Sequence, residues 1–137
     1  MSDRTYKVAV IGNGMIANSA HIPAWKGQAD HVELVAVADI LEERAKLTAQ
    51  YHGVPRAYGD WQKMLDEVKP DIVSVCTPNV YHKDPTIAAL KAGAHVLCEK
   101  PITVSTQDAN EMYDVAESAG RELFVTQTSR FTKKSMA

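Results

Sequence analysis

The amino-acid sequence predicts an α/β fold in which helices cover both faces of a parallel sheet. Three observations predict it: short apolar runs alternate with helical patterns, each run is apolar throughout, and the first run ends in a glycine-rich turn. Strands that are apolar on both faces are typical of parallel sheets, whose crossover helices cover both sides. With 137 residues, the chain has room for one such domain.

Five apolar runs are predicted to be the strands of this sheet. The first is rich in β-branched residues and stops at Gly12. The second is closed by Asp39, and the third is terminated by Pro78, because proline cannot extend a central strand. The predicted strands are residues 6–11, 32–38, 72–77, 95–98 and 123–126.

Helical patterns fill the intervals between the predicted strands. The first helix begins near Met15, and Pro23 is expected to end or kink it close to His21, since proline has no backbone N–H. The second covers residues 41–51. Capping residues mark the other boundaries: Asp60 and Ser105 as N-caps, and Gly53, Gly93 and Gly120 as stops.

Composition excludes several classes of function. The chain is 45% hydrophobic and 23% charged, which is ordinary for a globular protein, and its net charge of −2 provides no field that attracts nucleic acid. No stretch approaches the roughly 18 apolar residues that span a bilayer. We therefore expect a cytoplasmic protein with small-molecule partners, without nucleic-acid, membrane or metal sites. Cys76 and Cys98 lie in apolar runs and are expected to be buried and reduced.

A glycine-rich turn joins the first predicted strand to the first predicted helix. Residues 12–17 read Gly-Asn-Gly-Met-Ile-Ala, which fits the G-x-G-x-x-G/A pattern of dinucleotide-binding loops in its required strand–turn–helix setting. Gly12 permits the tight turn, Gly14 lets a pyrophosphate approach the backbone, and the N–H groups of the helix N-terminus attract the anion. The predicted cofactor contacts here are Gly12, Asn13, Gly14, Met15 and Ile16.

The second predicted strand ends in Asp39, about 25 residues after Gly14. An acid near this offset binds the adenosine ribose of a dinucleotide, and its charge repels a 2′-phosphate. The pattern therefore favours NAD over NADP. Asp39 can alternatively cap the helix at Leu41, and the two roles can coexist. Arg44 is the nearby cation that could rescue NADP binding.

Polar residues also follow the third predicted strand, which we expect to lie next to the first, where the strand order reverses. Thr77, Pro78, Asn79 and His82 are candidate cofactor contacts, because ligands of such sheets bind in this crevice. The alternative is structural: Asn79 could cap the next helix, and His82 could be a solvated residue of its first turn. The sequence leaves both interpretations open.

Two charged residues follow the fourth predicted strand. Glu99 and Lys100 stand where the ligand-binding edge of a parallel sheet is expected, and Pro101 restricts Lys100 to extended conformations. A lysine beside a nicotinamide can hydrogen-bond the reacting hydroxyl and stabilise developing alkoxide charge. Lys100 is therefore the candidate catalytic residue, and the alternative is an ordinary surface charge.

Together these motifs resemble the glucose–fructose oxidoreductase, inositol dehydrogenase and rhizopine-catabolism family (Gfo/Idh/MocA). The resemblance covers nearly the whole chain and rests on residues 12–17, 21–24, 35–39, 77–79 with His82, and 92–101. It implies a Rossmann-type doubly wound parallel sheet that binds NAD, and a second, α+β substrate domain that we expect to be missing from this chain. The expected boundaries are 1–128 for the dinucleotide-binding domain and 129–137 for the start of the connection.

The resemblance also implies individual roles. Glu99 would lie near the ribose at the nicotinamide end, and Lys100 near the hydride-transfer site, where it would assist proton transfer or orient the substrate. Residues 77–79 would line the cofactor groove. Arg130 matches a position that is often basic near the nicotinamide or substrate. The peptide bond between Lys100 and Pro101 is expected to be cis.

These roles predict an NAD-dependent oxidoreductase acting on a secondary alcohol of a sugar or cyclic polyol. The full-length protein is expected to be a homo-oligomer through its second domain, whereas the isolated chain should bind nucleotide but lack activity. The alternative is a non-catalytic nucleotide-binding sensor, because some family members are regulatory. A histidine of the second domain opposite the nicotinamide would distinguish the two.

Overall fold

A computed structural model describes residues 4–78, 81–100 and 105–126, which contain one six-stranded sheet and its helices. The strands are β1 (Tyr6–Ile11), β2 (Val32–Ala38), β3 (Arg56–Tyr58), β4 (Ile72–Val75), β5 (His95–Cys98) and β6 (Leu123–Val125). The helices are α1 (Ile22–Lys26), α2 (Glu42–His52), α3 (Trp61–Val68), α4 (Lys83–Lys91) and α5 (Thr106–Ala119).

Neighbouring strands of the sheet are parallel and follow the order β3-β2-β1-β4-β5-β6. The order reverses at β1, which pairs with β2 on one side and with β4 on the other. Ile11 is level with Ala38 on β2 and with Val75 on β4, so the carboxyl ends of the three strands are aligned. This topology confirms the predicted doubly wound sheet and the predicted position of β4 beside β1.

Side chains of β1 alternate between two apolar layers, as successive residues of a strand must. Ala9 and Ile11 pack in the layer that includes α3, α4 and α5, and Val8 and Val10 pack in the layer that includes α1 and α2. All four are at most 1% exposed. The central strand is therefore fixed from both faces, which gives the loop at its carboxyl end a rigid base.

The prediction of five strands was wrong, because β3 forms a sixth. It has only three residues, and Arg56 and Ala57 give it no apolar run that would indicate a strand. β3 is held by its pairing with β2 at the edge of the sheet, where Ala57 is level with Val37. A three-residue edge strand depends on its neighbour more than on its own sequence.

Pro23 does not end the first helix, contrary to one part of the prediction. A π-helical segment, Ala17–His21, continues directly into α1, where Pro23 is the second residue. The first turn of an α-helix needs no N–H from that position, so proline is tolerated there. The hydrogen-bonding pattern therefore changes next to His21, and the chain stays helical to Lys26.

The predicted caps are confirmed. The Asp60 carboxylate accepts from the N–H of Gln62 at 2.9 Å, and the Ser105 hydroxyl accepts from the N–H of Asp108 at 3.2 Å. Gly53, Gly93 and Gly120 have positive φ angles after their helices. The third predicted strand, 72–77, ends earlier than expected, at Val75.

Both cysteines are buried and free, as predicted, with exposed fractions of 7% for Cys76 and 0% for Cys98. Burial raises the pKa of the Cys98 thiol to about 12 and raises the pKa of the Cys76 thiol further still. Within the described ranges, every helix is too short or too polar to cross a bilayer.

Candidate cofactor-binding site

The carboxyl ends of four neighbouring strands meet at one edge of the sheet. Residues 12–16 follow β1, Asp39 follows β2, residues 77–78 follow β4 and residues 99–100 follow β5. Ligands of open parallel sheets bind in the crevice outside these ends. The structure therefore brings these predicted site residues to the same edge.

Gly12 closes its turn directly against the end of β4. Its φ is +89°, and a Cβ there would lie 2.7 Å from the Thr77 nitrogen and 2.8 Å from the Cys76 carbonyl carbon. The N–H of Gly12 donates to the carbonyl of Ala38 at 2.8 Å. Only glycine can adopt this backbone conformation where a Cβ has no room. Gly12 therefore allows the loop to lie against the ends of β2 and β4.

At Gly14 the loop is open, and polar groups of Asn13 and Gly14 have no partner among the described residues. A Cβ at Gly14 would meet nothing within 4 Å, and the Gly14 N–H has no acceptor among the described residues. The Asn13 side chain is buried, with a residue exposure of 1%, yet neither Oδ1 nor Nδ2 has a partner in the described part of the chain. Such orphaned groups are uncommon in folded proteins. An open cradle whose donors have no partner in the described ranges fits the diphosphate of a dinucleotide.

Asp39 is buried at the end of β2, and protein donors occupy both oxygens of its carboxylate. Oδ1 accepts from the N–H of Leu41 at 2.8 Å and from Arg44 Nη2 at 3.2 Å. Oδ2 accepts from the N–H of Asn13 at 2.8 Å and from Arg44 Nε at 3.0 Å. Burial pushes the pKa of Asp39 upward, but the hydrogen bonds from Arg44, Asn13 and Leu41 outweigh it and hold that pKa below its ordinary value.

The capping alternative for Asp39 is thus realised, and Asp39 also ties the loop to α2 through Asn13. The Arg44 guanidinium lies against the carboxylate with its side chain 49% exposed. A ribose hydroxyl would reach the Asp39 oxygens once this guanidinium moves aside, because the four bonds fill the carboxylate's acceptor positions. The sequence alone did not indicate that Arg44 and Asp39 are paired.

A buried hydrogen bond between a histidine and a glutamate holds the segment that leads from β5 into the site. His21 Nε2 and Glu99 Oε2 are 2.6 Å apart, and their side chains are 4% and 12% exposed. The pair joins the π-helical segment to the residue that follows β5, across 78 positions of sequence. Both residues belong to the motifs of the family resemblance, which was the available signal, but their contact was missed because it has no local pattern.

Lys100, unlike the neighbouring Glu99, lies at the protein surface. It is exposed, and its ammonium makes no hydrogen bond or ion pair with any residue in the described ranges. A cation at the ligand-binding edge that has no partner in the described part of the chain is available to a ligand. Three further predictions lie outside the described residues: the cis peptide bond at Pro101 and the cofactor contacts Asn79 and Arg130.

The turn after β4 is closed by its own groups. The Thr77 hydroxyl donates to the carbonyl of Tyr81 at 3.1 Å, and His82 Nε2 donates to the carbonyl of Thr77. His82 is 0% exposed, so the alternative of a solvated first-turn residue was wrong. Pro78 is exposed at the edge. His82 thus bears on the site through the turn that it supports.

The comparison with protein families decides the identity of this domain. The family model described as "Oxidoreductase family, NAD-binding Rossmann fold" matches residues 6–127. The chain belongs to the Gfo/Idh/MocA family. The glycine loop, Asp39 and residues 99–100 all lie within the matched segment of this Gfo/Idh/MocA domain, which confirms the resemblance stated from the motifs.

The curated relatives of this Gfo/Idh/MocA chain include dehydrogenases of sugars and of inositol. The D-glucoside 3-dehydrogenase of Escherichia coli (strain K12) is 42% identical over 123 residues, which cover 90% of this chain and 35% of the relative. The chain spans about a third of the length of the curated relatives that it matches.

Similar solved structures hold either form of the nicotinamide cofactor. The WlbA dehydrogenase of Chromobacterium violaceum, in complex with NADH and UDP-GlcNAcA, has a TM-score of 0.91 at 33% identity and covers 99% of this chain and 39% of that chain. KijD10, a 3-ketoreductase of Actinomadura kijaniata in complex with TDP-benzene and NADP, has a TM-score of 0.82 at 31% identity. The match covers 89% of this chain and 38% of that chain. The chain is an NAD(P)-binding Rossmann domain.

Proposed function

We propose that this chain is the cofactor-binding part of an NAD-dependent dehydrogenase that oxidises a secondary alcohol of a sugar or cyclic polyol. One observation carries the proposal: the N–H of Gly14 and the ammonium of Lys100 lie at the same edge of the sheet, and neither has a partner among the described residues. The first suits an anionic diphosphate, and the second suits an oxygen that gains negative charge.

The loop residues 12–16 would hold the diphosphate through backbone N–H groups, with the Asn13 amide as a further polar partner. Asp39 would bind the adenosine ribose, and its ionised carboxylate supports NAD as the preferred form. Its charge is partly balanced by Arg44, which reduces the repulsion of a 2′-phosphate.

At the other end, Lys100 would donate a hydrogen bond to the alcohol oxygen and stabilise alkoxide character as the C–H bond breaks. The bound nicotinamide would accept the hydride, and the hydroxyl proton would pass to the histidine that is expected in the second domain. Glu99, held by His21, would lie beside the nicotinamide ribose. The 12% exposure of the Glu99 side chain leaves part of it accessible to such a partner.

The substrate class is supported by relatives that carry the names of sugar and inositol dehydrogenases. In this proposal residues 1–128 form the dinucleotide-binding domain, residues 129–137 begin a connection, and a second domain completes the substrate site. The relatives support this division, because the match covers about a third of their length.

The first test is binding of NAD and NADP to the chain by calorimetry, with a pair of matched glycine variants. Gly14→Ala should weaken NAD binding by about tenfold, because a methyl group would occupy the cradle that the diphosphate must approach closely. Gly27→Ala is the control: its Cβ would make ordinary contact, at 3.4 Å from the carbonyl oxygen of Ala24. An unmodified chain that binds neither dinucleotide would disprove the proposal.

The second test is turnover, followed at the absorbance band of the reduced nicotinamide with a panel of sugars and polyols. The isolated chain should bind NAD and show almost no turnover, since holding the alcohol in near-attack geometry supplies roughly 7–11 kcal/mol of barrier reduction in such reactions. The longer protein should be active. Robust turnover by the isolated chain would contradict the need for a second domain.

A further inference from the structure

Asn18 stands behind the cofactor loop and contacts it through its side chain. It lies on the π-helical segment Ala17–His21, and its Nδ2 donates to the carbonyls of Asn13 and Gly14, both at 2.9 Å. The backbone N–H of Asn18 also donates to the carbonyl of Gly14, at 3.1 Å. Two successive carbonyls of the loop are thus turned toward Asn18.

The direction of these carbonyls sets the direction of the N–H groups that follow them. In a planar trans peptide, the C=O and the next N–H point to opposite sides. The N–H groups of Gly14 and Met15 are therefore directed away from Asn18. On the outer side of Gly14 the space is open, because a Cβ there would meet nothing within 4 Å.

His52, the last residue of α2, holds Asn18 in this orientation from the other side. Its Nε2 lies 2.9 Å from Asn18 Oδ1. Because Nδ2 of Asn18 faces two carbonyls, Oδ1 is the acceptor and His52 Nε2 carries the proton. Burial, followed by the positive charge of Lys26, lowers the pKa of His52, which favours the neutral ring. Lys26 Nζ in turn donates to the carbonyl of His52 at 2.7 Å.

We propose that Asn18, held by His52, is a positioning residue that aims the N–H groups of Gly14 and Met15 at the diphosphate of the cofactor. The inference rests on the proposed nucleotide binding and extends it to two residues outside the G-x-G-x-x-G/A pattern. Without the Asn18 amide, the Asn13 carbonyl loses its side-chain donor and can turn, while the Gly14 carbonyl keeps only the backbone N–H of Asn18. The cofactor must then order this part of the loop as it binds. Ordering a segment on binding weakens affinity.

The experiment is NAD binding to the chain by calorimetry, with urea unfolding as the measure of folding. Asn18→Leu should weaken binding by about tenfold or more, since two hydrogen bonds to the loop are lost. Asn110→Leu, the same change at an exposed position of α5, is the control and should bind normally. Normal binding by a folded Asn18→Leu variant overturns the positioning role alone, whereas an unmodified chain without affinity for NAD or NADP overturns the proposed function as well.

His52 gives a second test that separates positioning from folding. His52→Gln keeps an N–H donor for Asn18 and should bind NAD within about threefold of the unmodified chain, whereas His52→Phe keeps a ring without the donor and should bind about tenfold more weakly. Equal affinities for the two variants would overturn the proposal, because binding would then not follow the hydrogen bond. This comparison decides the matter if Asn18→Leu does not fold.

Discussion

The two ends of the site differ in how their charged side chains are paired with the rest of the described protein. At the β2 end, the Asp39 carboxylate accepts four hydrogen bonds from the protein, two of them from Arg44. At the β5 end, Glu99 is paired with His21, yet the adjacent Lys100 ammonium has no partner in the described ranges. Completed bonds fix a geometry, whereas an exposed unpaired group stays available to a ligand. The β2 end therefore has a fixed geometry, and the β5 end keeps a cation available to a ligand.

The largest expected effect is at Lys100. In the longer protein, Lys100→Ala should lower turnover by about 10²–10³-fold, the loss typical of removing a group that stabilises developing negative charge. NAD affinity should change little, because the lysine is proposed to act on the reacting oxygen. Steady-state kinetics and calorimetry separate the two effects.

The matched control for that change is Lys91→Ala, which removes an exposed lysine from the end of α4. It should leave both turnover and binding unchanged. Normal turnover by Lys100→Ala would show that the Lys100 ammonium does not act on the substrate. The proposed difference between the β2 and β5 ends would then be wrong.

The next effect concerns the stability of the β5 end. His21→Ala should lower the free energy of unfolding by about 2–3 kcal/mol, because it leaves the Glu99 carboxylate largely buried without its partner. Urea unfolding of the chain measures this change. His31→Ala, at an exposed position before β2, should stay within about 0.5 kcal/mol of the unmodified chain. Equal stability of the two variants would show that the His21–Glu99 pair contributes nothing to the fold.

A smaller effect is expected in cofactor choice at the β2 end. Arg44→Ala should raise the preference for NAD over NADP by about tenfold, because it removes the cation and uncovers the Asp39 carboxylate. Calorimetry with both dinucleotides gives the ratio. Arg56→Ala removes another guanidinium that pairs with a carboxylate, that of Glu67, and should leave the ratio unchanged. A shift toward NADP in Arg44→Ala would reverse the role assigned to this arginine.

The smallest effect is the pH dependence that Asp39 gives to stability. Its folded pKa is lowered, so its contribution is present above the ordinary value of 3.8 and is lost as pH falls through the folded value. Asp39→Asn should cost about 1 kcal/mol at neutral pH, and the difference from the unmodified chain should shrink below about pH 3.8. The exposed Asp30→Asn is the control for urea unfolding across pH. A difference that stays constant into acid would contradict this assignment.

Local patterns were sufficient for most of the fold. β1 and the loop after it were predictable because β-branched residues followed by Gly12 and Gly14 specify a strand and a turn through neighbouring residues alone. The cap at Ser105 was predictable for the same reason, since its partner Asp108 is three residues away. β3 was not, because a strand of three residues exists through its pairing with β2.

The site likewise has features that local sequence predicts and features that depend on contacts between distant residues. Its residues were predictable because strand ends can be counted from the sequence, which placed Asp39 and Lys100 at one edge. Their partners were less visible. His21 meets Glu99 across 78 residues and Asn18 meets His52 across 34, and both contacts arise from packing between elements. The preference for NAD, the role of Lys100 and the peptide at Pro101 stay predictions.

The rate at which the two buried thiols are alkylated can measure local opening of this domain. A thiolate is the form that reacts with alkylating reagents, and the raised pKa values of Cys76 and Cys98 leave almost none of it in the folded chain near neutral pH. Each labelling event then counts an opening of the sheet. Cys76 lies against Gly12 beneath the loop, so its labelling rate records the loosening of that region. A bound dinucleotide should slow labelling there by the factor that its concentration and dissociation constant set.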